Sequence, residues 1–572
     1  MVFWCLVLTK ADLVNYYEDL IETGFNNAAK YDAPNDASAY RPVNNVPLDY
    51  GTYEFVIVGA GAAGAVVANR LSENPSWRIL LLEAGKKGND LTAVPALNFL
   101  SASSEYDWGY KSLPQTECCQ QSDGACPFLR GKALGGSTIL NAQVYERGIK
   151  ADYDKWASFY NPEWSYDKVL PYFMKSLLGS GGYLNAEHHI PLSPKVQVFL
   201  DAHQELERLN VARITNFTTL NGRRQTTDDI FLKPARRRRN LRILTETYVD
   251  KVVINRRLKS ATGVLFSHNR TKYFVKITKE VVLSAGVIGS VYILMHSGIG
   301  PKQHLRDLNI DVLKNLPVGY NMHDHISLSS IKFSTRVPDK LYTLKESIEQ
   351  YLNGTGPLTN VYNVQGVSYL HLSSNDSNAP DFELLFSPLE INFRAKSNES
   401  YVSQFHLVLL HPKTRERVYL KSNDPYVYPL IDSKCFRDDR NEDAAMFRRG
   451  IDTVLEIIET EAFKEIGAEL LPDPLCAMHE FKTEEYWSCS IIKSAVNIFH
   501  AAGTCAMGAV VDGNLNVYGV KRLRVADASV VPVTISGHMT ATAIMTPEKE
   551  MELEIQGSGM EHAKEEDDLG DE

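Results

Sequence analysis

The clearest hydrophobic signal along the chain is Tyr53-Glu54-Phe55-Val56-Ile57-Val58, where four consecutive apolar residues stop directly at Gly59. A continuous apolar run with no polar alternation is the pattern of a strand buried on both faces of a parallel sheet. Small residues from Ala62 to Leu71 then read as a helix, and Arg78-Ile79-Leu80-Leu81-Leu82-Glu83 reads as a second buried strand. Strand, helix and strand together fit the length of a βαβ unit, about 30 residues. Further strand signals lie near Leu241–Leu244, Val249–Ile254 and Val281–Leu283. The pattern changes over residues 331–420, where segments such as Gln404–Leu410 and Arg417–Leu420 alternate, and a helix is predicted over Arg440–Thr460. The fold class this predicts is α/β: a Rossmann-like βαβ domain with a second α+β domain built on an antiparallel sheet.

The predicted organisation has an irregular N-terminal arm at 1–50 and a first domain at 51–330, carrying lid or loop insertions at 95–130 and 155–235. A second domain follows at 331–495, mainly 331–440. The chain then returns to the first domain at 496–555, with Asn516–Ala528 as part of that return. An acidic tail at 556–572 is expected to lack regular structure.

Composition narrows the partners. The 572 residues are 44% hydrophobic and 23% charged, ordinary values for a globular protein. The formal net charge of −10 disfavours a nucleic-acid partner. The short run Arg236-Arg237-Arg238-Arg239 reads as a solvated loop or helix end. No apolar stretch reaches the length of a membrane span. Met1–Thr9 has seven apolar residues after Met1 but no basic flank or clear cleavage site, so it makes a poor signal peptide. Five glycosylation sequons stand at Asn216, Asn269, Asn353, Asn375 and Asn398, and there are eight cysteines. Cys118 or Cys119 could pair with Cys126, and Cys476 with Cys489. Together these favour a secreted or secretory-pathway protein. No cysteine or histidine cluster has metal-ligand spacing, so no metal is expected.

Gly59-x-Gly61-x-x-Gly64 follows the first strand and opens the helix. Gly59 permits the tight turn, Gly61 lets a pyrophosphate approach the backbone, and Gly64 lets helix and strand pack closely. The helix start at Ala62 and Ala63 offers free N–H groups to that anion. Glu83, 19 residues after Gly64, is placed to accept the ribose hydroxyls, with Ala84 beside it. The motif alone does not separate FAD from NAD.

Four other segments resemble the glucose–methanol–choline (GMC) oxidoreductase family. They are Gly131-Lys132-Ala133-Leu134-Gly135-Gly136-Ser137-Thr138-Ile139-Leu140-Asn141 with Tyr145, Gly148 and Asp154; Gly286–Pro301; Leu316-Pro317-Val318-Gly319-Tyr320-Asn321-Met322-His323-Asp324-His325; and the block from His500 to Lys549. The resemblance runs from about residue 53 to 549. The cysteine placement and Asn353–Thr359 look most like the arthropod branch, with its glucose dehydrogenase-like and alcohol oxidase-like flavoproteins. Departures are Val287, Val291, Ala501 and Thr546-Pro547, the last expected to shift the start of the final helix.

The resemblance implies FAD, held by Gly59, Gly61, Ala62, Ala63, Gly64, Glu83, Ala84, Arg130, Gly131, Gly135, Gly136, Ser137, Asn141, Ala142, Val144, Val249, Asp527, Ala528, His538 and Met539. Leu140 stands where covalently linked members carry histidine, which implies non-covalent FAD. It also implies a catalytic pair, His500 in His500-Ala501-Ala502-Gly503-Thr504 and His538 in Ser536-Gly537-His538-Met539. A neutral imidazole accepts the hydroxyl proton of an alcohol as hydride leaves its carbon, and a second polar group holds the oxygen. His500 is assigned as the base and His538 as its positioning partner, with exchanged roles left open. His323 and His325 are assigned to packing, and Cys505 to a buried thiol. The expected substrate is a small aromatic or other apolar alcohol, with oxygen or another electron acceptor. Phe386, Phe393, Phe405 and Tyr362 are candidates for an apolar wall. The alternative is a cyanohydrin-active enzyme of the same family, either an oxidase or a redox-neutral lyase.

Overall fold

Two seven-stranded sheets organise the molecule, in a computed structural model that describes residues 9–209, 211–372, 379–389 and 399–568. The first is built around the apolar runs. Asn44–Val58 pairs in parallel with Ile79–Leu82, Phe55 opposite Ile79 and Val58 opposite Leu82. On its other side it pairs in parallel with Thr271–Leu283. Leu241–Leu244 extends the parallel set beyond Ile79–Leu82, and Leu523–Val525 adds to Thr271–Leu283. An antiparallel meander, Thr247–Asn255, Ser260–His268 and Thr271–Leu283, completes the sheet. Phe55–Ile57 and Ile79–Leu81 are fully buried, because helices cover both faces of a parallel sheet. The helix Ala62–Leu71 lies against the C-terminal helix Met539–Asp568.

The second sheet is antiparallel. Ile326–Lys340 pairs with Glu399–Leu409, which pairs with Phe382–Ser387, then Gly366–Leu370 and the short strand Arg213–Ile214. Glu469–Leu471 and Ala495–Asn497 both pair with Ile326–Lys340. The predicted helix at 440–460 is present as Glu442–Ile458.

Three local expectations are corrected. The N-terminal arm is not irregular: Lys10–Ala28 is a 19-residue helix, and Asn44 already belongs to the first sheet. Thr9 and Asp12 close a capping box, and Val14, Tyr17 and Ile21 pack on Leu97, Leu100, Ile348 and Leu358. Pro547 lies inside the last helix, which begins at Met539, rather than at a shifted start. The missing N–H at Pro547 costs one backbone bond, in a helix whose neighbouring residues are buried on all sides. That helix also continues into the acidic tail as far as Asp568.

Three disulfides are formed among the described residues. Cys119–Cys126 and Cys476–Cys489 are among the pairings read from the sequence, and Cys118–Cys435 is one that spacing did not suggest. The close grouping of Cys118, Cys119 and Cys126 is thus taken up by sulfur–sulfur bonds rather than offered to a metal. In the arginine run, Arg236 pairs with Asp228 and Arg238 donates to Ser72 Oγ at 2.8 Å. Among the described residues, no helix is long and apolar enough to cross a membrane. Asn269 and Asn353 are exposed and Asn216 is half-buried; Asn375, Asn398 and Phe393 lie outside the described residues, as does Met1–Leu8.

Candidate active site

The glycine loops meet where the parallel strands end. Gly59 has φ 95°, and a Cβ there would stand 2.4 Å from the Ser284 carbonyl oxygen. Gly136, from the second loop, packs its backbone on Gly61, so that a Cβ on Gly136 would stand 2.5 Å from Gly61 Cα. The Gly135 N–H donates to Ala60 O at 2.8 Å, fixing the two loops together. Gly61 caps the helix Ala62–Leu71 without any side-chain hydrogen bond, which leaves the first-turn N–H groups without a capping side chain. Glu83 ends the second strand, where its carboxylate accepts from the Ala60 and Gly85 N–H groups, each at 2.8 Å. Burial outweighs these bonds and pushes its pKa up to about 7. The Thr247 N–H donates to the Glu83 carbonyl at 2.8 Å, which brings the strand holding Val249 to the same end of the cradle.

The remaining sequence-predicted residues border this cradle or extend it toward the histidines. Ser137 Oγ accepts from the Gly131 N–H at 3.1 Å. Asn141 Nδ2 donates to Thr540 Oγ1 at 3.2 Å, one residue beyond Met539. Ala142 is half-buried and Val144 buried in the chain that follows. Asp527 accepts from the Gly286 N–H at 2.9 Å and Ser290 Oγ at 2.6 Å, so it anchors the start of the helix Gly286–His296; Ala528 follows it. Arg130 belongs to the histidine end, donating from Nη1 to the Phe499 carbonyl at 2.7 Å. Its Nε and Nη2 are buried with no hydrogen-bond partner among the described residues.

His500 and His538 are in contact, with ring centroids 4.5 Å apart at 73°. They arrive from different layers. His538 immediately precedes the helix Met539–Asp568, and its N–H donates to Glu146 O at 3.3 Å. His500 follows the strand Ala495–Asn497, whose register sets Asn497 opposite Ile326. That register brings His500 to His325, Nδ1 to Nδ1 at 3.0 Å, while the His500 N–H donates to Asp324 Oδ1 at 2.7 Å. Packing therefore does not exhaust the role of His325. His323 does fit a packing role, being fully buried in the backbone pairing with Ala502.

The two rings have opposite electrostatics. Burial, then the neighbouring His538 and His325 rings and Arg130, hold His500 well below the usual imidazole range. His538 is equally buried, but Glu383 overcomes that penalty and raises it. His538 Nε2 lies 3.0 Å from Glu383 Oε2, and the carboxylate side chain is 1% exposed.

Sequence reasoning missed Glu383. The available signal was a lone carboxylate inside Phe382-Glu383-Leu384-Leu385-Phe386, a strand otherwise apolar at those positions. Two of the four residues proposed for an apolar wall, Phe386 and Phe405, belong to the core instead. Side chains alternate across a strand, so Phe382, Leu384 and Phe386 point away from Glu383. Phe386 and Phe405 stack into a core with Phe199 and Phe333. The face shared with Glu383 instead carries Leu385, packed in a buried cluster with Val144, Val367 and Val408 and flanked by Ile498. Tyr362 is exposed.

The GMC oxidoreductase family matches residues 53–327 and again 412–546. The chain belongs to that family. Glucose dehydrogenase [FAD, quinone] of Drosophila melanogaster is 33% identical over 544 residues, covering 87% of this chain and 86% of that protein. Ecdysone oxidase of Bombyx mori is 32% identical over 556 residues, covering 89% and 82%. Formate oxidase of Aspergillus oryzae superposes with a TM-score of 0.77 at 25% identity, over 88% of this chain and 98% of that one. The GMC protein described here is thus an FAD-dependent oxidoreductase of an arthropod-like branch. Its residues fit the cofactor: the Gly61–Gly136 cradle is one that a Cβ would fill, the helix start has no capping side chain, and Arg130 keeps two nitrogens unpartnered among the described residues.

Proposed function

We propose that this enzyme oxidises the CH–OH group of a small aromatic or other apolar alcohol, with His500 as general base and His538 as positioning partner. The observation that supports this is two imidazoles in contact whose proton affinities are driven in opposite directions, the arrangement that assigns acid and base roles to a pair. His500, kept neutral, accepts the hydroxyl proton. His538, bonded to Glu383 and favoured in its protonated form, donates to the alcohol oxygen and fixes the direction of the C–H bond. Bound FAD supplies the hydride acceptor.

The cofactor is held non-covalently in this reading, since Leu140 offers no linking nitrogen. Residues 51–330 and 496–555 carry the cofactor, and 331–495 carry the substrate wall. The buried Leu385, Val408 and Val144 beside Glu383 support an apolar substrate. The relatives reported above are oxidases and a dehydrogenase, and the cyanohydrin alternative finds no support among them. Three disulfides support a secretory compartment, where such bonds persist, and the exposed Asn269 and Asn353 suit glycans.

The test is anaerobic mixing of holoenzyme with a broad panel of primary and secondary alcohols. At least one apolar alcohol should bleach the yellow flavin absorbance. A panel in which none does refutes the reading. Following hydrogen peroxide and a dye in parallel then identifies the acceptor.

A further inference from the structure

The contact between His325 and His500 constrains where protons sit. The two Nδ1 atoms are 3.0 Å apart, with ring planes at 83°. A neutral imidazole has one N–H donor and one bare acceptor nitrogen, so one Nδ1 must carry the proton and the other must accept it. If His325 donates, the single proton of His500 resides on Nε2, and no nitrogen of His500 is left to take a proton from substrate. If His500 donates, its Nε2 is bare and basic.

The assignment of His500 as base selects the second arrangement, and the surroundings of His325 are compatible with it. The residue is 1% exposed, and its Nε2 makes no close hydrogen bond among the described residues. Burial, followed by His411, His538 and His323, disfavours a positive charge on the ring; the backbone carbonyl of Ile535 acts in the opposite sense. The ring is therefore neutral, with one proton. A base at His500 needs a bare Nε2, so His500 donates from Nδ1 and the one proton of His325 lies on its own Nε2. Nδ1 of His325 is then the acceptor. The backbone holds this arrangement in place, because the Ile498 N–H donates to His325 O at 3.1 Å and the His500 N–H to Asp324 Oδ1 at 2.7 Å.

We infer that His325 is a positioning residue that accepts the Nδ1–H of His500 and so fixes the tautomer whose Nε2 is free to take the hydroxyl proton. This rests on the assignment of His500 as the base. When Nε2 takes that proton, His500 carries N–H on both nitrogens, and His325 Nδ1 still accepts the same hydrogen. No second proton moves.

The test compares three variants as holoenzymes. His325→Phe keeps an aromatic ring but removes the acceptor; His325→Asn places an amide oxygen close to the lost Nδ1; His500→Ala removes the base. For His325→Phe, kcat should fall about 100-fold or more, as when a catalytic histidine is left in the wrong tautomer, with flavin content unchanged and KM altered less than about threefold. His325→Asn should recover kcat to within about tenfold of the parent enzyme. Wild-type kcat in His325→Phe, or no advantage of His325→Asn over it, overturns the inference. Turnover retained in His500→Ala sinks the base assignment instead, so the two failures are distinguishable. Should His325→Phe lose its flavin, nitrogen-15 spectra of histidine-labelled parent holoenzyme decide: a protonated Nδ1 and bare Nε2 on His500 support the inference, and the reverse overturns it.

Discussion

Glu383 and His538 form a buried hydrogen-bonded pair, Oε2 to Nε2 at 3.0 Å, that joins the antiparallel sheet to the start of the C-terminal helix. The carboxylate raises the imidazole against the penalty of burial. A group raised in the folded state contributes stability below its unfolded pKa and loses it as pH rises through the folded value. Activity that requires protonated His538 shares that alkaline limit. Glu383→Gln should therefore move the alkaline limb of kcat/KM to lower pH and reduce kcat about 10- to 100-fold. An unchanged alkaline limb in that variant, measured with flavin still bound, separates Glu383 from the chemistry.

The cradle predicts a steric block. A Cβ on Gly136 would stand 2.5 Å from Gly61 Cα, and the residue has φ 52°. Backbone cannot yield as a flexible side chain does, and a left-handed alanine adds about 1–2 kcal/mol of strain. Gly136→Ala should lower the flavin-to-protein ratio of the purified enzyme severalfold and reduce its melting temperature. Full flavin occupancy would show that the loops move apart at no cost.

How much of this was legible follows from how locally each feature is encoded. The unit from Phe55 to Glu83 was readable because apolar runs and glycines in close succession specify it. The helix Lys10–Ala28 was not, because its buried contacts Val14, Tyr17 and Ile21 are diluted among polar residues. His500 and His538 stand in recognisable motifs, but the groups that tune them do not. Glu383 reaches His538 across 155 residues, and His325 meets His500 across 175, through the pairing of Ile326 with Asn497. Sheet register of that kind is a property of the assembled fold. The same holds for Phe386, whose face of its strand could be assigned to core or site only after Glu383 was placed.

Substrate preference should respond to Leu385, which shares the Glu383 face with Val367 and Val408. Truncating a buried leucine removes apolar contact worth about 1.5–3 kcal/mol to whatever packs on it. Leu385→Ala should raise KM for aromatic alcohols about tenfold and leave kcat for short-chain alcohols nearly unchanged. Equal effects on both substrate sets would place Leu385 in the core alone.

The disulfides should differ in what they stabilise. Cys118–Cys435 closes a loop of 317 residues and ties the segment before the first signature loop to the chain that follows the strand Glu399–Leu409. Cys119–Cys126 closes only 7. Restricting the unfolded chain is worth more for a longer loop, roughly 5.7 kcal/mol against roughly 2.4 kcal/mol for these lengths by the chain-entropy argument. The double variant Cys118→Ser with Cys435→Ser should therefore melt several degrees below the double variant Cys119→Ser with Cys126→Ser, with scanning calorimetry of the holoenzymes as the measurement. The shorter bridge proving the more important would mean that local geometry around Cys126, next to the strand Pro127–Phe128, outweighs chain entropy here.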